Sequence, residues 1–240
     1  REIKWLRETG AGVILVHGGG PEINEELERR GIVPVKVDGL RLTDAETMSA
    51  VEYALSQLNA TVVAALLEAG VAAKGIAAAE CTLSRKLPPH RTVDGEIVDL
   101  GLVGEVESAD VPALRAMAYS ETMPVIYPVG ADASGARLNV NADSMAAGIA
   151  AAVGCDEMVQ ITDVPGIMLD VGDPGSVQPA LTLADVDKLI RDGIITGGMI
   201  PKVEACRSAI AAGVRRVRMV NGKDPGTPML SSASGTVITE

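Results

Sequence analysis

Residues 12–24 read GVILVHGGGPEIN, and this stretch decides the fold class. An apolar, strand-like run over residues 12–16 leads into three consecutive glycines, and a proline at position 21 then opens a sequence typical of a helix. A strand, a glycine turn and a helix in this order predict one unit of an α/β fold. We expect the turn at the carboxyl edge of a parallel sheet, where open α/β folds bind their ligands.

The same alternation continues along the chain and predicts an α/β protein with a mainly parallel sheet. Predicted strands are residues 12–16, 71–76, 123–127, 157–162 and 216–220. Predicted helices are residues 21–30, 44–56, 59–69, 110–120, 142–153, 182–192 and 201–212. Residues 85–106 are predicted to form a hairpin excursion. Because no internal repeat or low-complexity linker interrupts the pattern, we predict one domain, whose two lobes meet near residues 135–150.

Composition limits the partners of this chain. Of its 240 residues 47% are hydrophobic, which is enough for a sizeable core. A net charge of −11 and an aromatic content of 2% argue against a nucleic-acid partner. No apolar run reaches the roughly 18 residues of a membrane span, so no membrane association is predicted. The three cysteines, Cys81, Cys155 and Cys206, lack metal-type spacing and predict reduced thiols in a cytoplasmic protein.

The glycine turn is predicted to bind an anion. Gly18, Gly19 and Gly20 let backbone N–H groups approach a ligand closely, and the helix that follows adds its positive end. A tight turn would need only one glycine. The pattern matches neither the P-loop nor the dinucleotide fingerprint. His17, just before the turn, is predicted to bond neighbouring backbone, with a ligand-facing role as the alternative.

Two further segments place polar residues beside predicted helices. Arg41, in DGLRLTD (residues 38–44), carries a fork suited to binding a carboxylate, although a solvated loop arginine is the alternative. Asn139, Asn141 and Asp143, in LNVNADS (residues 138–144), lie at a strand-to-helix junction. Helix capping explains one of these three residues, not all of them.

The last two segments lie in the C-terminal part of the chain. Residues 161–166, ITDVPG, end an apolar strand in polar residues placed to meet a ribose or a phosphate, with an ordinary capped turn as the alternative. Residues 197–203, GGMIPKV, put Lys202 in the first turn of a helix that Pro201 is predicted to open. A cation is unfavourable at that end of a helix, which makes Lys202 a candidate functional residue.

Taken together, VHGGGPEIN, DGLRLTD, GLVGEV, LNVNADS, LTDVPG and GMIPKV resemble, in order and spacing, the N-acetylglutamate kinases of the amino-acid kinase superfamily. The similarity spans nearly the whole chain. It implies an open αβα sandwich and ATP-dependent phosphorylation of the γ-carboxylate of N-acetyl-L-glutamate, a step of arginine biosynthesis. The N-terminal lobe, about residues 1–148, would bind the acyl amino acid. The C-terminal lobe, about residues 149–240, would bind the nucleotide.

The resemblance also implies roles for individual residues. The glycines would line the phosphoryl path, Asp143 would organise the active-site lysines, and Lys202 would stabilise the transferring phosphoryl group. Catalytic roles are implied for Lys202, Asp143 and Gly19. Arg41 would hold the α-carboxylate of the substrate. Substrate binding is also implied for Gly18, Gly19, Gly20, Asn139 and Asn141. Nucleotide binding is implied for Thr162, Asp163, Gly166 and Lys202. Mg²⁺ would arrive with ATP, and no metal-binding protein residue is predicted.

The chain departs from the family pattern in three places. The family begins with a K-x-G-G strand that nothing here matches, so we expect roughly 20–30 further residues before Arg1, the usual size of a β-α unit. Ala60 follows Asn59 where family members usually carry a lysine. The family's G-L-S-G-x-D-type loop is replaced by GIAAAE at residues 75–80.

Two other functions stay open at this point. One is a related kinase that acts on an α-aminoadipate derivative, and the other is a non-catalytic, ligand-sensing relative without the first phosphate-binding strand. The resemblance further implies a homodimer or a hexamer. It also raises arginine feedback and a PII-type signalling partner, on which the sequence itself is silent.

Overall fold

The computed structural model describes residues 2–92, 94–223 and 235–240. Backbone contacts divide the chain into two compact units, Ile3–Met145 and Ala146–Glu240. The α-helices of the described part are α1 Glu2–Glu8, α2 Gly20–Arg29, α3 Ala45–Glu68, α4 Val111–Tyr119, α5 Ala142–Val153, α6 Leu183–Arg191 and α7 Met199–Ala211. Short 3₁₀ helices span Ala78–Glu80 and Pro174–Ser176.

The strands of the first unit are β1 Leu15–Val16, β2 Lys36–Val37, β3 Leu40–Arg41, β4 Ala73–Ala77, β5 Thr82–Lys86, β6 His90–Arg91, β7 Ile97–Val98, β8 Val103–Ala109, β9 Met123–Tyr127, β10 Val129–Ala131 and β11 Arg137–Val140. Those of the second unit are β12 Glu157–Thr162, β13 Ala180–Thr182, β14 Arg216–Asn221 and β15 Thr236–Thr239. Arg1, where the predicted upstream strand would join the chain, lies outside the described residues.

A parallel sheet in the order β1-β9-β4 forms the centre of the first unit. Val125 of β9 pairs with Leu15 on one side and with Gly75 on the other. Met123 and Ile126 are fully buried with it, since an uninterrupted apolar run suits a strand covered on both faces. The predicted strand at residues 123–127 and the parallel pairing expected of an α/β fold are confirmed.

Helix α3 packs on β4, β9 and α2 as one helix of 24 residues. The prediction of two helices, residues 44–56 and 59–69, is therefore wrong. Asn59 suggested a break because asparagine often bonds its own backbone, but here its side chain donates to the carbonyl oxygen of Val125 at 2.9 Å. Asp44 caps the helix by accepting from the backbone N–H of Thr47 at 2.8 Å.

A second sheet of the first unit has the order β10-β11-β8-β5, in which only β11 and β8 run parallel. The antiparallel pairing of β5 with β8, with the β6–β7 hairpin between them, agrees with the predicted excursion over residues 85–106, of which residue 93 lies outside the described residues. Strands β10 and β11 were not predicted, because runs of three and four residues carry little periodicity.

The predicted strand at residues 12–16 is shorter than expected. Only Leu15 and Val16 pair as β1, because the backbone N–H of Val13 donates instead to the carbonyl of Ala118 at the end of α4.

Arg7 also binds the end of α4, and its guanidinium donates to the carbonyl oxygens of residues 118, 120 and 121. A cation at the carboxyl end of a helix satisfies its last carbonyls and its dipole.

In the second unit β12 and β14 pair in parallel, from Glu157 with Arg216 to Thr162 with Asn221. Strand β15 is antiparallel to β14 and parallel to β13. Helix α7 begins at Met199, so the prediction that Pro201 opens it is wrong. Proline fits anywhere in a first helical turn, because the N–H groups there have no intrahelical acceptor.

A cluster of charged side chains, Glu26, Arg29 and Arg30, connects α2 to α3 in the first unit. The carboxylate of Glu26, a buried residue, accepts from Arg29 Nε at 2.7 Å and from Arg30 Nε at 2.6 Å. Arg30 also donates to the hydroxyl of Ser49 on α3 at 3.0 Å. The hydrogen bonds from Arg29 lower the pKa of Glu26 to about 2, with Arg30 contributing.

Substituting Glu26 should make stability depend less on pH. The folded pKa of Glu26 is depressed from 4.5 to about 2, so its stabilisation is present above pH 4.5 and disappears as the pH falls through about 2. We expect Glu26→Gln to lower the free energy of unfolding most at neutral pH, with a difference from wild type that shrinks towards pH 2. Urea unfolding across this range measures it. Glu28→Gln, an exposed change on the same helix, is the control, and a difference independent of pH would contradict the assignment.

Candidate functional site

A cleft of about 190 Å³ opens in the first unit, where the glycine loop, the β2–β3 hairpin and the β11–α5 junction meet. Pockets for drug-sized ligands usually have about 300–1,000 Å³, so this cleft suits a small metabolite. All six residues predicted to bind substrate line it: Gly18, Gly19, Gly20, Arg41, Asn139 and Asn141. The fold thus brings together residues that lie more than 100 positions apart in the sequence.

The glycine loop presents unpaired backbone donors at this cleft. Helix α2 begins at Gly20, and Gly19 caps it without a side chain. Within the described part of the chain, the N–H groups of Gly18, Gly19 and Gly20 have no hydrogen-bond partner. A Cβ at Gly19 would lie 2.8 Å from Leu55 Cδ2, so a larger residue would displace the core. Free N–H groups and a helix N-terminus together form an anion-binding surface.

Arg41 adds a buried positive charge. It is 7% exposed, and its Nη2 donates to Asn24 Oδ1 at 2.6 Å. Its Nη1 is buried and has no partner among the residues that the structure describes. Burial lowers the pKa of Arg41, although a guanidinium stays charged at any ordinary pH. A hydrogen-bond donor that has no acceptor, on a buried cation at a cleft, is suited to binding the carboxylate of a ligand.

The β11–α5 junction supplies amide groups. Asn139 Nδ2 donates to Thr43 Oγ1 at 3.1 Å, which ties this residue to the segment that carries Arg41. Asn141 Oδ1 accepts from the backbone N–H of Ser144 at 3.0 Å and so caps α5 while it also lines the cleft. Asp143 lies in the first turn of α5 and is not among the cleft-lining residues.

The nucleotide-site candidates lie in the second unit. Thr162 ends β12 beside Asn221 of β14, and Asp163 approaches Lys223 Nζ at 3.7 Å. The Thr162 hydroxyl bonds the backbone of Val164, as in an ordinary turn. These groups gather at the carboxyl edge of the sheet, where open α/β folds bind ligands.

Gly166 and Lys202, the other two candidates, have distinct surroundings in the second unit. Gly166 has a φ of +150°, and a Cβ there would lie 2.6 Å from Thr236 Oγ1, so packing alone requires glycine. Lys202 is the fourth residue of α7, and its backbone carbonyl accepts from Gln160 Nε2 at 3.4 Å. Lys202 therefore lies near the positive end of α7, as its sequence predicted.

Comparison with known proteins identifies the family of this fold. The model of the amino acid kinase family matches residues 1–221. The acetylglutamate kinase of Methanococcus vannielii is 41% identical over 235 residues, which is 96% of this chain and 80% of that protein. The chain belongs to the acetylglutamate kinases of the amino acid kinase family.

Solved structures agree with this family. The crystal structure of smu.665 from Streptococcus mutans UA159 superposes with a TM-score of 0.83 at 29% identity, over 99% of this chain and 90% of that one. N-acetylglutamate synthase from Neisseria gonorrhoeae, complexed with coenzyme A and N-acetyl-glutamate, superposes with a TM-score of 0.84 at 21% identity. It covers 100% of this chain and 54% of that one, and it shows the fold alone. The predicted amino-acid kinase fold is confirmed.

Sequence reasoning missed three polar residues that line the cleft or contact residues beside it. Lys36, which pairs with Arg41 across the β2–β3 hairpin, also lines the cleft. Asn24 holds the Arg41 guanidinium, and buried Asn59 contacts His17. Only Asn59 left a signal, as an asparagine within a largely apolar helix. His17 bonds the Gly18 carbonyl at 2.8 Å, as predicted for a histidine that satisfies neighbouring backbone.

The described residues contain no cluster of three or more histidine, cysteine or acidic side chains that could hold a metal ion. One helix, α3, is long and apolar enough to cross a membrane, judged by length and composition alone. Core helices pass the same test, and α3 packs on β4 and β9.

Removing the Arg41 charge should cost the unliganded kinase little stability. A buried cation without a paired anion destabilises the folded state. When Arg41 is replaced, exposed Asn24 can form a hydrogen bond with water in place of the lost one. We therefore expect Arg41→Met to change the unfolding free energy by less than about 0.5 kcal/mol, or to raise it. Arg218 is equally buried but donates to Glu157 at 2.7 Å. Arg218→Met should cost about 1–3 kcal/mol because it removes a partner of that carboxylate.

Urea unfolding of both variants without ligand measures this contrast. Equal losses of unfolding free energy in the two variants would mean that the charge of Arg41 is stabilised as well as that of Arg218. That result would contradict the inference drawn from the Nη1 donor of Arg41.

Proposed function

We propose that this chain is an ATP-dependent kinase that phosphorylates the γ-carboxylate of N-acetyl-L-glutamate in arginine biosynthesis. Identity of about 40% to acetylglutamate kinases over nearly the whole chain supports the reaction. The single structural observation that supports the substrate is the buried Arg41 guanidinium at a small cleft, whose Nη1 has no partner within the described part of the chain. The acceptor is a small dicarboxylate, for which such a donor is suited.

The cleft divides the substrate between two kinds of donor. Arg41 takes the α-carboxylate, assisted by the amide side chains of Asn139 and Asn141. The backbone N–H groups of the glycine loop, with Gly19 at its centre, face the γ-carboxylate and the phosphoryl group. Fixed N–H groups need little reorganisation as charge moves during the reaction, which is how preorganised dipoles favour a transition state.

The nucleotide half of the reaction is assigned to the second unit. Thr162, Asp163 and Gly166 contribute to nucleotide binding, and Lys202 stabilises the transferring phosphoryl group. The role of Asp143 in organising active-site lysines stays a prediction from the family resemblance. Mg²⁺ would be held through the ATP phosphates and would neutralise their charge. Asp163 at the sheet edge carries carboxylate oxygens, the type of protein ligand that Mg²⁺ prefers.

The reaction needs no general base. The γ-carboxylate is already ionised at neutral pH, and one of its oxygens attacks the γ-phosphorus of ATP. The bond from that phosphorus to the bridging oxygen breaks, and ADP leaves as the acyl phosphate forms. Positioning and charge neutralisation are the remaining requirements.

A hydroxylamine-trapping assay for acyl phosphate tests the function. With MgATP and N-acetyl-L-glutamate we expect a hydroxamate signal, which Lys202→Ala should reduce about 10²–10³-fold, as loss of a transition-state donor does. Arg41→Lys should mainly raise the KM for the acyl amino acid, because it removes the fork. Leu169→Ala, an exposed change in the second unit, is the control.

The acceptor is checked by competition in the same assay. N-acetyl-α-aminoadipate is one methylene longer and should react about 10–200-fold less efficiently. A preference for the longer acceptor would replace the proposed substrate. Bound nucleotide without any acyl phosphate would favour a ligand-sensing relative instead.

We further propose that the kinase is a cytoplasmic homodimer joined through α3. The side of α3 that carries Tyr53, Gln57, Ala60, Ala64 and Leu67 is exposed and mostly apolar, with Tyr53 49% and Leu67 54% exposed. Spacings of three and four residues place these five on one side of the helix. A hexamer, arginine feedback and a PII-type partner stay predictions from the family resemblance.

Light scattering after size exclusion tests the dimer. We expect twice the mass of one chain, and we expect the double change Ala64→Glu and Leu67→Glu to give a monomer because it places repelling charges on both copies. Leu169→Glu, at an exposed leucine of the second unit, should leave the dimer intact. A double variant that remains dimeric would place the interface elsewhere.

A further inference from the structure

Helix α3 places a buried amide directly behind the glycine loop. Asn59 is 4% exposed, and its Nδ2 lies 2.9 Å from the carbonyl oxygen of Val125 in β9 and 3.0 Å from Nε2 of His17. His17 Nδ1 lies 2.8 Å from the carbonyl oxygen of Gly18. A continuous chain of hydrogen bonds therefore joins the central strand to the first glycine of the loop.

The polarity of this chain follows from its end groups. A carbonyl oxygen only accepts, so the Asn59 atom that faces Val125 must be the amide nitrogen. The same nitrogen donates its second hydrogen to His17 Nε2, which must therefore be the unprotonated ring nitrogen. His17 then carries its proton on Nδ1 and donates it to the carbonyl of Gly18.

The surroundings of His17 agree with a neutral ring. Burial lowers the pKa of His17, while the bond to Gly18 and the carboxylate of Glu22 act in the opposite direction with smaller effect. Glu22 lies in the first turn of α2. The imidazole is therefore uncharged at neutral pH and acts by hydrogen bonding.

Fixing the Gly18 carbonyl also fixes the next N–H group. The peptide bond between Gly18 and Gly19 is trans, so the N–H of Gly19 points opposite to the carbonyl of Gly18, away from the imidazole. Both glycines line the cleft, and glycine backbone has no side chain to restrain its rotation. The orientation of this peptide therefore depends on the bond from His17.

We propose that Asn59 and His17 are positioning residues that hold the Gly18–Gly19 peptide in the orientation required for phosphoryl transfer. The proposal rests on the kinase function argued above. Gly75 belongs to the same arrangement, because a Cβ there would lie 1.9 Å from Asn59 Oδ1 and would expel the amide. The role is one of geometry, since neither side chain lines the cleft.

The ring protonation can be observed directly. The chain has two histidines, so a ¹H–¹⁵N spectrum of the imidazoles contains two sets of signals, and His90→Gln assigns them. We expect His17 to show the Nδ1–H tautomer and to stay neutral at pH 6.5, the ordinary pKa of histidine. An Nε2–H tautomer, or a charged ring at neutral pH, would overturn the proposal.

Kinetics of matched variants test the positioning role. His17→Asn keeps a donor at the δ position, whereas His17→Gln moves its amide one atom further out. With MgATP and N-acetyl-L-glutamate we expect His17→Gln and Asn59→Leu to lower kcat about 10–100-fold, as misplaced groups do, with KM within about 3-fold of wild type. His17→Asn should retain most of the wild-type kcat.

Stability controls separate positioning from general damage. Leu114→Ala, at a fully buried residue of α4 outside the cleft, should lower stability and keep kcat. Equal kcat values for His17→Asn and His17→Gln, or a wild-type kcat in Asn59→Leu, would refute the positioning role and leave the kinase function unaffected. A wild-type chain without acyl phosphate would refute the function, and the tautomer spectrum would still decide the hydrogen-bond chain.

Discussion

Arg41 places in the first unit a buried guanidinium that has no anionic partner among the residues the structure describes. Among the described residues, the buried side-chain nitrogen and oxygen atoms without a hydrogen-bond partner are Arg41 Nη1 and Ser84 Oγ. A hydroxyl can rotate towards any neighbouring acceptor, but a guanidinium nitrogen is held in the plane of its fork. Under the proposed function, the substrate carboxylate would supply the acceptor that this donor lacks among the described residues.

Net charge makes that local arrangement necessary. The chain carries a net charge of −11, which repels an anionic substrate from a distance. Salt screens such repulsion beyond about 8 Å at physiological ionic strength, so binding depends on the donors within the cleft. Arg41, Lys36 and the N-terminus of α2 lie at the cleft and would supply these donors under the proposed function. Affinity for an anion is thus a property of a few groups and not of the whole surface.

Local signals explain what could be predicted from the sequence. Strands β9 and β12 and helix α5 were predicted with their observed bounds, since each ends at a clear local stop signal: proline after β9, polar and turn residues after β12, and glycine after α5. The six predicted cleft residues were also found locally. A glycine triplet after a strand, an arginine after a turn and asparagines at a strand end are all visible without knowledge of distant partners.

The remainder depends on contacts between distant residues. Asn59 and Val125 are 66 positions apart, and nothing near Asn59 reveals that its amide would leave its own helix and allow α3 to continue. The role of Lys36 likewise depends on a two-residue hairpin that has almost no sequence period. Propensity rules describe a residue and its neighbours along the chain, so tertiary hydrogen bonds override them without warning.

In each unit a buried amide side chain holds a helix in position on its sheet. Asn59 ties α3 to β9, and Gln160 of β12 donates to the Lys202 carbonyl and accepts from the Cys206 thiol of α7 at 3.1 Å. Apolar contacts alone tolerate small shifts of a helix, because side chains repack with little loss. A buried hydrogen bond tolerates much less, since its energy falls steeply with distance and angle and an unpaired amide is costly. Each amide therefore restricts where its helix lies on the sheet, and a kinase needs that restriction because phosphoryl transfer depends on position more than on covalent chemistry.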